Sequence, residues 1–593
     1  MICIMFCANN HALMEHTIMK NLEAIAEVKS GKRTDANASW WGFDPEDATE
    51  GLQAAIDSGA RRLIVPNMRA DWIVRPIKLA SNQEIIFERG TVVSAKRGEY
   101  RGKGDSLFTA QDVENLTIRG YGATFRMWKQ DYITGLVLEQ FDWHRWYGQY
   151  PKAEWRMTLS IRGSKNVNVS GLTLKDSGGD GIYVDGGKSL RHSENVYLRD
   201  ITCENHYRQG ISVISAENLI VDNCTFSNTW GTPPSSGVDI EPDLADQRIK
   251  NVKFSGCQFV DNAGDGIEIF LAHITDETED VTIRFDNCYI SSQHGAGIRV
   301  SKVRDNGPGG YIEFNNCTVE NTKSYGIKVQ EKSITGARVT FNDCAVINAA
   351  TDRDFGGEWS PISLSLPQTN IVQAMGGIDF IDCFVEDNFE RPAVAYTQQD
   401  SDLPLQDVTG TITVLNPTCV NSELGKDTDK LSLIVKAYGQ NSTNLPFGFI
   451  KRQATYLYHG SKQLLPKLKK RQALAPPGRP PEEALEAIYL TPDFLFALAC
   501  AARPPGTSKI DLTERTISFD KPDQFQPDEP IYIYYVDSTK ISEDKKIYID
   551  PYQVAVTEDE ITPEKVETYQ SSDLLKHYRV IDNWDDSEQD KSG

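Results

Sequence analysis

The sequence predicts an all-β chain. Its main body is expected to be a right-handed parallel β-helix, with an N-terminal capping helix and a small, mostly-β C-terminal module. Three observations carry this expectation. A motif centred on cysteine recurs, as DITCEN, DNCTFSN, SGCQFVD, DNCYISS, NNCTVEN, NDCAVIN, IDCFVED and NPTCVNS. Its cysteines, from Cys203 through Cys224, Cys257, Cys288, Cys317, Cys344 and Cys383 to Cys419, are spaced 21 to 39 residues apart. Short alternating strands such as NVKFSG and YIEFNN precede most of them, and Gly-led strands (GIYV, GISV, GVDI, GIEI, GIRV, GIKV) follow many. Finally, no amphipathic helix of ten or more residues separates the strands, which excludes βαβ units and a leucine-rich horseshoe.

Self-similarity at this period means a stacked array in which no unit buries its apolar side alone. Equivalent residues of successive coils then lie about 4.8 Å apart. The cysteines should form an internal ladder of small apolar side chains, structural rather than disulfide-bonded or metal-bound. A length of 593 residues also suits a fold that grows along one axis, because a single compact core of that size is not expected.

Residues 1–40 read as an N-terminal extension, mildly apolar at the start but without the basic opening and clean apolar run of a secretion signal. The β-helix is expected over 41–440. In WGFDPEDATEGLQAAIDSG, Asp44 or Asp47 can cap a helix that presents Leu52, Ala55 and Ile56 on one face. Such a cap covers the first coil, whose core and edge would otherwise be open. Residues 441–485, basic and then Pro-rich, read as a linker. Residues 486–580 read as a small module, with a short helix in EEALEAIYL and strands in PIYIYYVD and KIYIDPYQVAV, followed by an acidic disordered tail over 581–593.

The cap carries a family resemblance. Asp-Ala-Thr, then Leu-Gln-x-Ala-Ile-Asp and a strand ending in Pro66, resembles the N-terminal cap of the pectate-lyase-like β-helix superfamily, and IKLASNQEIIFERGTVV is similar to its first coils. The resemblance covers about residues 40–425 and implies the fold and carbohydrate chemistry. Motifs of particular families are missing. The Asn-Thr-Asp, Asp-Asp, Gly-His-Gly and Arg-Ile-Lys series of polygalacturonases does not occur in order; QHGAG at His294 and RIK at Arg248–Lys250 are out of context. The Asp-Pro-His of alginate epimerases is absent too.

Side chains alternate between the faces of a strand, so in GIxV the x residue points outward. From coil to coil these residues are Tyr183, Ser212, Asp239, Glu268, Arg299 and Lys328. Two positions on stand Asp185 and Glu241, and just before the glycines stand Asp180 and Asp265. Crowded carboxylates raise one another's pKa and keep one proton, as glycoside hydrolysis requires of its acid and its base or nucleophile. Asp239 and Glu268 are the expected central pair, with Asp180 and Asp265 as further catalytic candidates. Asp185, Glu241, Tyr183, His206, Arg208, Arg299 and Lys328 are expected substrate contacts. So are Trp143 and Trp146, in a segment dense in aromatic rings that suit sugar stacking.

The expected function is therefore glycosidic bond cleavage in a polysaccharide or oligosaccharide, with no required cofactor and no metal site. One rival is a polysaccharide lyase, in which Ca²⁺ assists and a basic residue removes a proton from a uronic acid. The other is a non-catalytic binding or structural β-helix. A net charge of −22 argues against nucleic acid as partner, and no apolar run reaches the roughly 18 residues that span a membrane. Such a function favours a secreted or periplasmic location, while oligomeric state is open.

Overall fold

The computed structural model describes residues 19–581 apart from 134–149, 151–152, 292, 353–359, 368–370, 388, 390, 399–401, 416–431, 439–455, 473–484, 492–493, 507, 512–515, 543–544 and 551–552. The chain divides into two units, Met1–Asn444 and Leu445–Gly593.

The first unit is a stack of three-stranded coils, as at Ser193–Arg199, Thr202–Glu204 and Ile211–Val213. Coils pair in parallel and in register. The first strands align Val196, Leu219, Val252, Ile283, Ile312, Val339 and Ile378 in one inward row. The first corner of a coil is made by one residue in the left-handed region: Asp200, Asn223, Gly256, Asn287, Asn316 and Asp343 have φ between 51° and 59°. Asn, Asp and Gly tolerate that conformation because a short polar side chain, or none, avoids the Cβ clash. A second Asn row, from Asn82 through Asn115, Asn166, Asn195 and Asn218 to Asn251, links successive coils by amide-to-amide hydrogen bonds of 2.8–3.0 Å. Inside, Phe254, Phe285, Phe314, Phe341 and Phe380 stack with ring centroids 4.8–5.2 Å apart.

The described cysteines of the motif are buried, and Cys419 lies outside the described residues. The ladder differs from expectation at its first rung. Thr225 N donates to Ile201 O as Gln258 N does to Cys224 O, so Ile201 occupies the rung and Cys203 pairs with Phe226. A two-residue offset keeps Cys203 on the inward face, which is why the sequence pattern does not betray it.

The N-terminal cap helix spans Thr49–Ile56 and buries Leu52, Ala55 and Ile56. Asp47 Oδ1 accepts from Thr49 N at 3.1 Å, and the carboxylate pairs with Lys96 at 2.8 Å. The extension read over 1–40 is partly structured: a helix at Leu22–Lys29 precedes a strand, Asp35–Asn37, that pairs with Arg62–Val65.

In the second unit, Pro530–Asp537 is the middle strand of an antiparallel sheet between Tyr456–Ser461 and Lys565–Gln570. Part of the expected linker is thus strand, because Leu457 buries its side chain in a core with Val536. The helix expected in EEALEAIYL is also a strand, Glu486–Leu490, paired with Gln553–Val556. Cross-strand pairing overrides the helix propensity of Glu, Ala and Leu. The helix is the next segment, Phe494–Ala502. The expected tail lies outside the described residues from 582 onward. Among the described residues no helix is long and apolar enough to cross a membrane.

Candidate active site

The third strands of the coils form an eleven-stranded parallel sheet, from Ile77–Lys78 to Val394–Gln398. Its register places Tyr183, Ser212, Asp239, Glu268, Arg299, Lys328 and Ser363 side by side. Their inward neighbours are Ile182, Ile211, Val238, Ile267, Ile298, Ile327 and Ile362. Turns ending in Asp180, Gln209, Ser236 and Asp265 border the row on one side, and Asp185 and Glu241 lie on the other.

Arg208 organises the acidic half. Its guanidinium lies 3.6 Å from Asp180 Oδ2, 4.0 Å from Asp239 Oδ2 and 3.9 Å from Glu241 Oε2. Burial lowers the proton affinity of Arg208, but Asp180 and Asp239 outweigh it, and the net shift is upward. Asp180 is fully buried and accepts from Gln209 N at 3.1 Å and Ser212 Oγ at 2.8 Å. Burial pushes it up to about 6 against the pull of Arg208.

Asp239 is 1% exposed. Its Oδ2 accepts from Gln209 Nε2 at 2.9 Å, and its Oδ1 has no hydrogen-bond partner among the described residues. Burial, then the adjoining charge of Glu268, holds it well above the usual carboxylate range. Glu268 accepts from Ser236 Oγ at 3.1 Å and is pushed up to about 7 by burial and then by Asp265. Glu241 is raised by burial.

The other candidates fall into two groups. Asp265 is locked to Arg299, with Nε–Oδ2 2.5 Å and Nη2–Oδ1 3.1 Å, and also accepts from Ala296 N. Asp185 accepts from Gly186 N, Gln247 Nε2 and Tyr183 Oη. The Tyr183 ring lies under the Arg162 guanidinium, 4.3 Å from its centroid. Tyr183 packs with Met157 and Ile214, so this end of the row is covered rather than open. Lys328 stands 5.0 Å from the Tyr325 ring centroid, and burial, helped by Arg299, brings it down to about 8.

His206 does not join the site. It is fully buried behind the turn, with Nδ1 2.8 Å from Ser177 Oγ, and burial drives it down to about 3. A substrate on the outer face does not reach it. Trp143 and Trp146 lie outside the described residues. Of the other rings in that aromatic segment, Phe125, Tyr132 and Tyr150 are core.

Two neighbours of the site escaped the sequence pattern. Arg162 lies on Leu159–Arg162, a strand in register with Ile182–Asp185 but without the leading glycine. Glu154 accepts from Thr232 Oγ1 at 3.3 Å, and its charge raises Asp180. It is held there because its segment crosses Gly179, where a Cβ would come within 2.6 Å of Glu154 O. Among the described residues, no group of three His, Cys, Asp or Glu is placed to hold a metal ion.

Comparison with known proteins bears on the fold. The family model described as "Right handed beta helix region" matches residues 155–278. An uncharacterized SPbeta prophage-derived protein, YorA of Bacillus subtilis, is 25% identical over 184 residues, which span 30% of this chain and 29% of that relative. Among solved structures, the catalytic unit of a GH87 α-1,3-glucanase from Streptomyces thermodiastaticus is similar over 69% of this chain and 68% of that one, at 14% identity and TM-score 0.44. The N-terminal fragment of bacteriophage Phi29 gene product 12 is similar over 69% and 82%, at 15% identity and TM-score 0.35. The coil register, with the family match over residues 155–278, shows a right-handed parallel β-helix fold.

Proposed function

We propose that the chain hydrolyses glycosidic bonds of a polysaccharide or oligosaccharide, with Asp239 and Glu268 as the central pair. The observation that carries this reading is the direct register of two outward carboxyl groups on adjacent strands, both raised in proton affinity. Strands about 4.8 Å apart bring the two groups near the separation of about 5 Å at which a retaining pair works. Two such groups cannot both ionise cheaply, so near neutrality they hold a proton between them.

Exposure assigns the roles. Asp239 lies at the floor, and Glu268 meets a ligand first. Glu268 donates its proton to the leaving oxygen. Arg208, 4.0 Å from Asp239 Oδ2, favours the ionised form of Asp239, which attacks the anomeric carbon. Water then resolves the glycosyl-enzyme, with Glu268 taking its proton. Asp180, anchored by Gln209 and Ser212, holds the Arg208 guanidinium in place.

A second reading rests on Lys328. An amine brought down to about 8 is a competent base, and it would serve β-elimination on a uronate, with Ca²⁺ as the assisting ion. The test is a panel of neutral and acidic polysaccharides, following reducing ends and the ultraviolet absorbance of unsaturated sugar together, with and without a chelator. Hydrolysis predicts reducing ends without absorbance, lost in Asp239→Asn and in Glu268→Gln. Absorbance that depends on Lys328 overturns it in favour of elimination. Binding without either product favours a non-catalytic β-helix.

A further inference from the structure

The turns whose last residues carry the candidate site begin with Asp176, Asn205, Asn228 and Asp261, each in the left-handed conformation. Along these starts runs an open cleft of about 740 Å³, which continues to His294 on the fifth coil. Five successive coils measure about 19 Å along the stack. None of the residues assigned to hydrolysis lines it.

Trp230 stands in this cleft, 47% exposed and firmly held. Its Nε1 donates to Asn205 Oδ1 at 2.9 Å, and its backbone N donates to His206 O at 3.1 Å. The Lys129 ammonium sits 3.9 Å from the ring centroid. Lys129 is itself fully buried, bound to Asn205 Oδ1 at 3.0 Å and His206 O at 2.9 Å. Burial opposes its charge and brings it down to about 7. A buried amine is thus spent on fixing one face of an indole whose remaining surface is left to solvent. Packing alone gives no reason for that arrangement, because a large apolar ring gains most when it is covered.

Asn205 also breaks the amide ladder. Its Nδ2 donates to Asp176 Oδ1, but its Oδ1 is taken by Trp230 and Lys129, so the Asn228 side chain is left without a partner among the described residues. A rigid ring beside the Asn228 amide and the exposed Asp261 carboxylate suits a sugar, which offers C–H groups to the ring and hydroxyls to the rim. Holding the ring in advance removes the ordering cost of binding. The sign of the charge narrows the class. Asp176, Glu204 and Asp261 line the cleft, and the nearby Lys175 is already paired with Glu204 at 2.8 Å. An anionic chain would be repelled. We propose that this cleft is a second glycan-binding site, which seats a stretch of uncharged polysaccharide on Trp230, separately from the carboxylate row.

The test is titration calorimetry on the full chain carrying Glu268→Gln, so that no ligand is consumed. The probes are neutral hexasaccharides of β-1,4-, β-1,3- and α-1,4-linked glucose and of xylose, with hexagalacturonate as the acidic comparison. At least one neutral hexasaccharide is expected to show a binding component that Trp230→Ala weakens tenfold or more. Ala263→Arg, at an exposed position lining the cleft, fills it without touching the core and should weaken the same component. The idea is overturned if no neutral hexasaccharide binds, if both variants bind as the parent does, or if hexagalacturonate binds through Trp230 more tightly than every neutral probe. These outcomes are independent of hydrolysis, which is read separately in the unsubstituted protein.

Discussion

The two faces of the site sheet share the same strands and the same register, yet they are built on opposite rules. The inner row repeats Ile or Val on seven successive coils, from Ile182 to Ile362. The outer row changes at every step, from Tyr183 through Ser212, Asp239, Glu268, Arg299 and Lys328 to Ser363. A stacked core accepts a narrow range of branched apolar volumes per rung, because a large deficit leaves a cavity and an excess strains its neighbours. The outer face has no such constraint. Two carboxyl groups in direct register are moreover unfavourable for a sheet, since like charges opposite one another destabilise it. Uniformity on the inner row therefore serves the fold, and the adjacency of Asp239 and Glu268 costs stability that the fold does not require.

The sharpest way to break this contrast is to exchange one outer and one inner residue. Glu268→Gln keeps shape and removes the proton. It is expected to lower turnover by about 10²–10⁴-fold, the contribution typical of a positioned acid, with the β-sheet circular dichroism unchanged. A turnover within threefold of the parent would place Glu268 among solvated surface acids. On the inner row, Ile267→Ala should lower unfolding free energy by about 2–5 kcal/mol, read as the denaturation midpoint, because Ile267 is fully buried. A shift below about 1 kcal/mol would mean that the stack repacks, and that uniformity is not needed.

How much of this was legible follows the same division. The Gly-Ile-x-Val period located every residue of the outer row from Tyr183 to Lys328, because a period of two fixes the face of each side chain. Arg162 was hidden because its strand, LSIR, lacks the glycine that marks the others. Glu154 had no pattern to find it by: it reaches the site through backbone packing against Gly179. His206 misled for the reverse reason. It adjoins Arg208 in sequence, but the turn folds its ring inward onto Ser177. Periodicity reports faces, and it does not report how a corner closes.

The contrast also predicts how stability depends on pH. Glu268 has an ordinary value of 4.5 and about 7 in the fold. A raised folded value means that the folded state binds the proton more tightly than the unfolded chain does. Its favourable contribution is complete below about 4.5 and is lost as pH rises through about 7. Glu268→Gln cannot ionise, so it should be more stable than the parent at pH 8, by up to roughly 3 kcal/mol, and nearly equal to it at pH 4. Thermal melts at both pH values would measure this. Equal destabilisation at both would mean that the carboxyl group is retained for its hydrogen bond to Ser236 and not at a cost.

The smallest effect sharpens the comparison at the corners, where repetition again serves the fold. Asn218 has φ +57°, donates to Asn195 Oδ1 at 2.9 Å and accepts from Asn251 Nδ2 at 2.8 Å. Asn218→Ala loses both bonds and also forces a Cβ into the left-handed region, a conformational cost of about 1–2 kcal/mol. Asn218→Gly loses the bonds but not the conformational freedom. Asn251 is exposed and Asn195 partly so, and water replaces much of what the ladder supplied. The Gly variant should therefore lie within about 1 kcal/mol of the parent and above the Ala variant in melting temperature. A Gly variant several kcal/mol below the parent would assign these asparagines to the amide ladder first and to the backbone turn second. The corner would then be held between coils, as the inner row is, and not within each one.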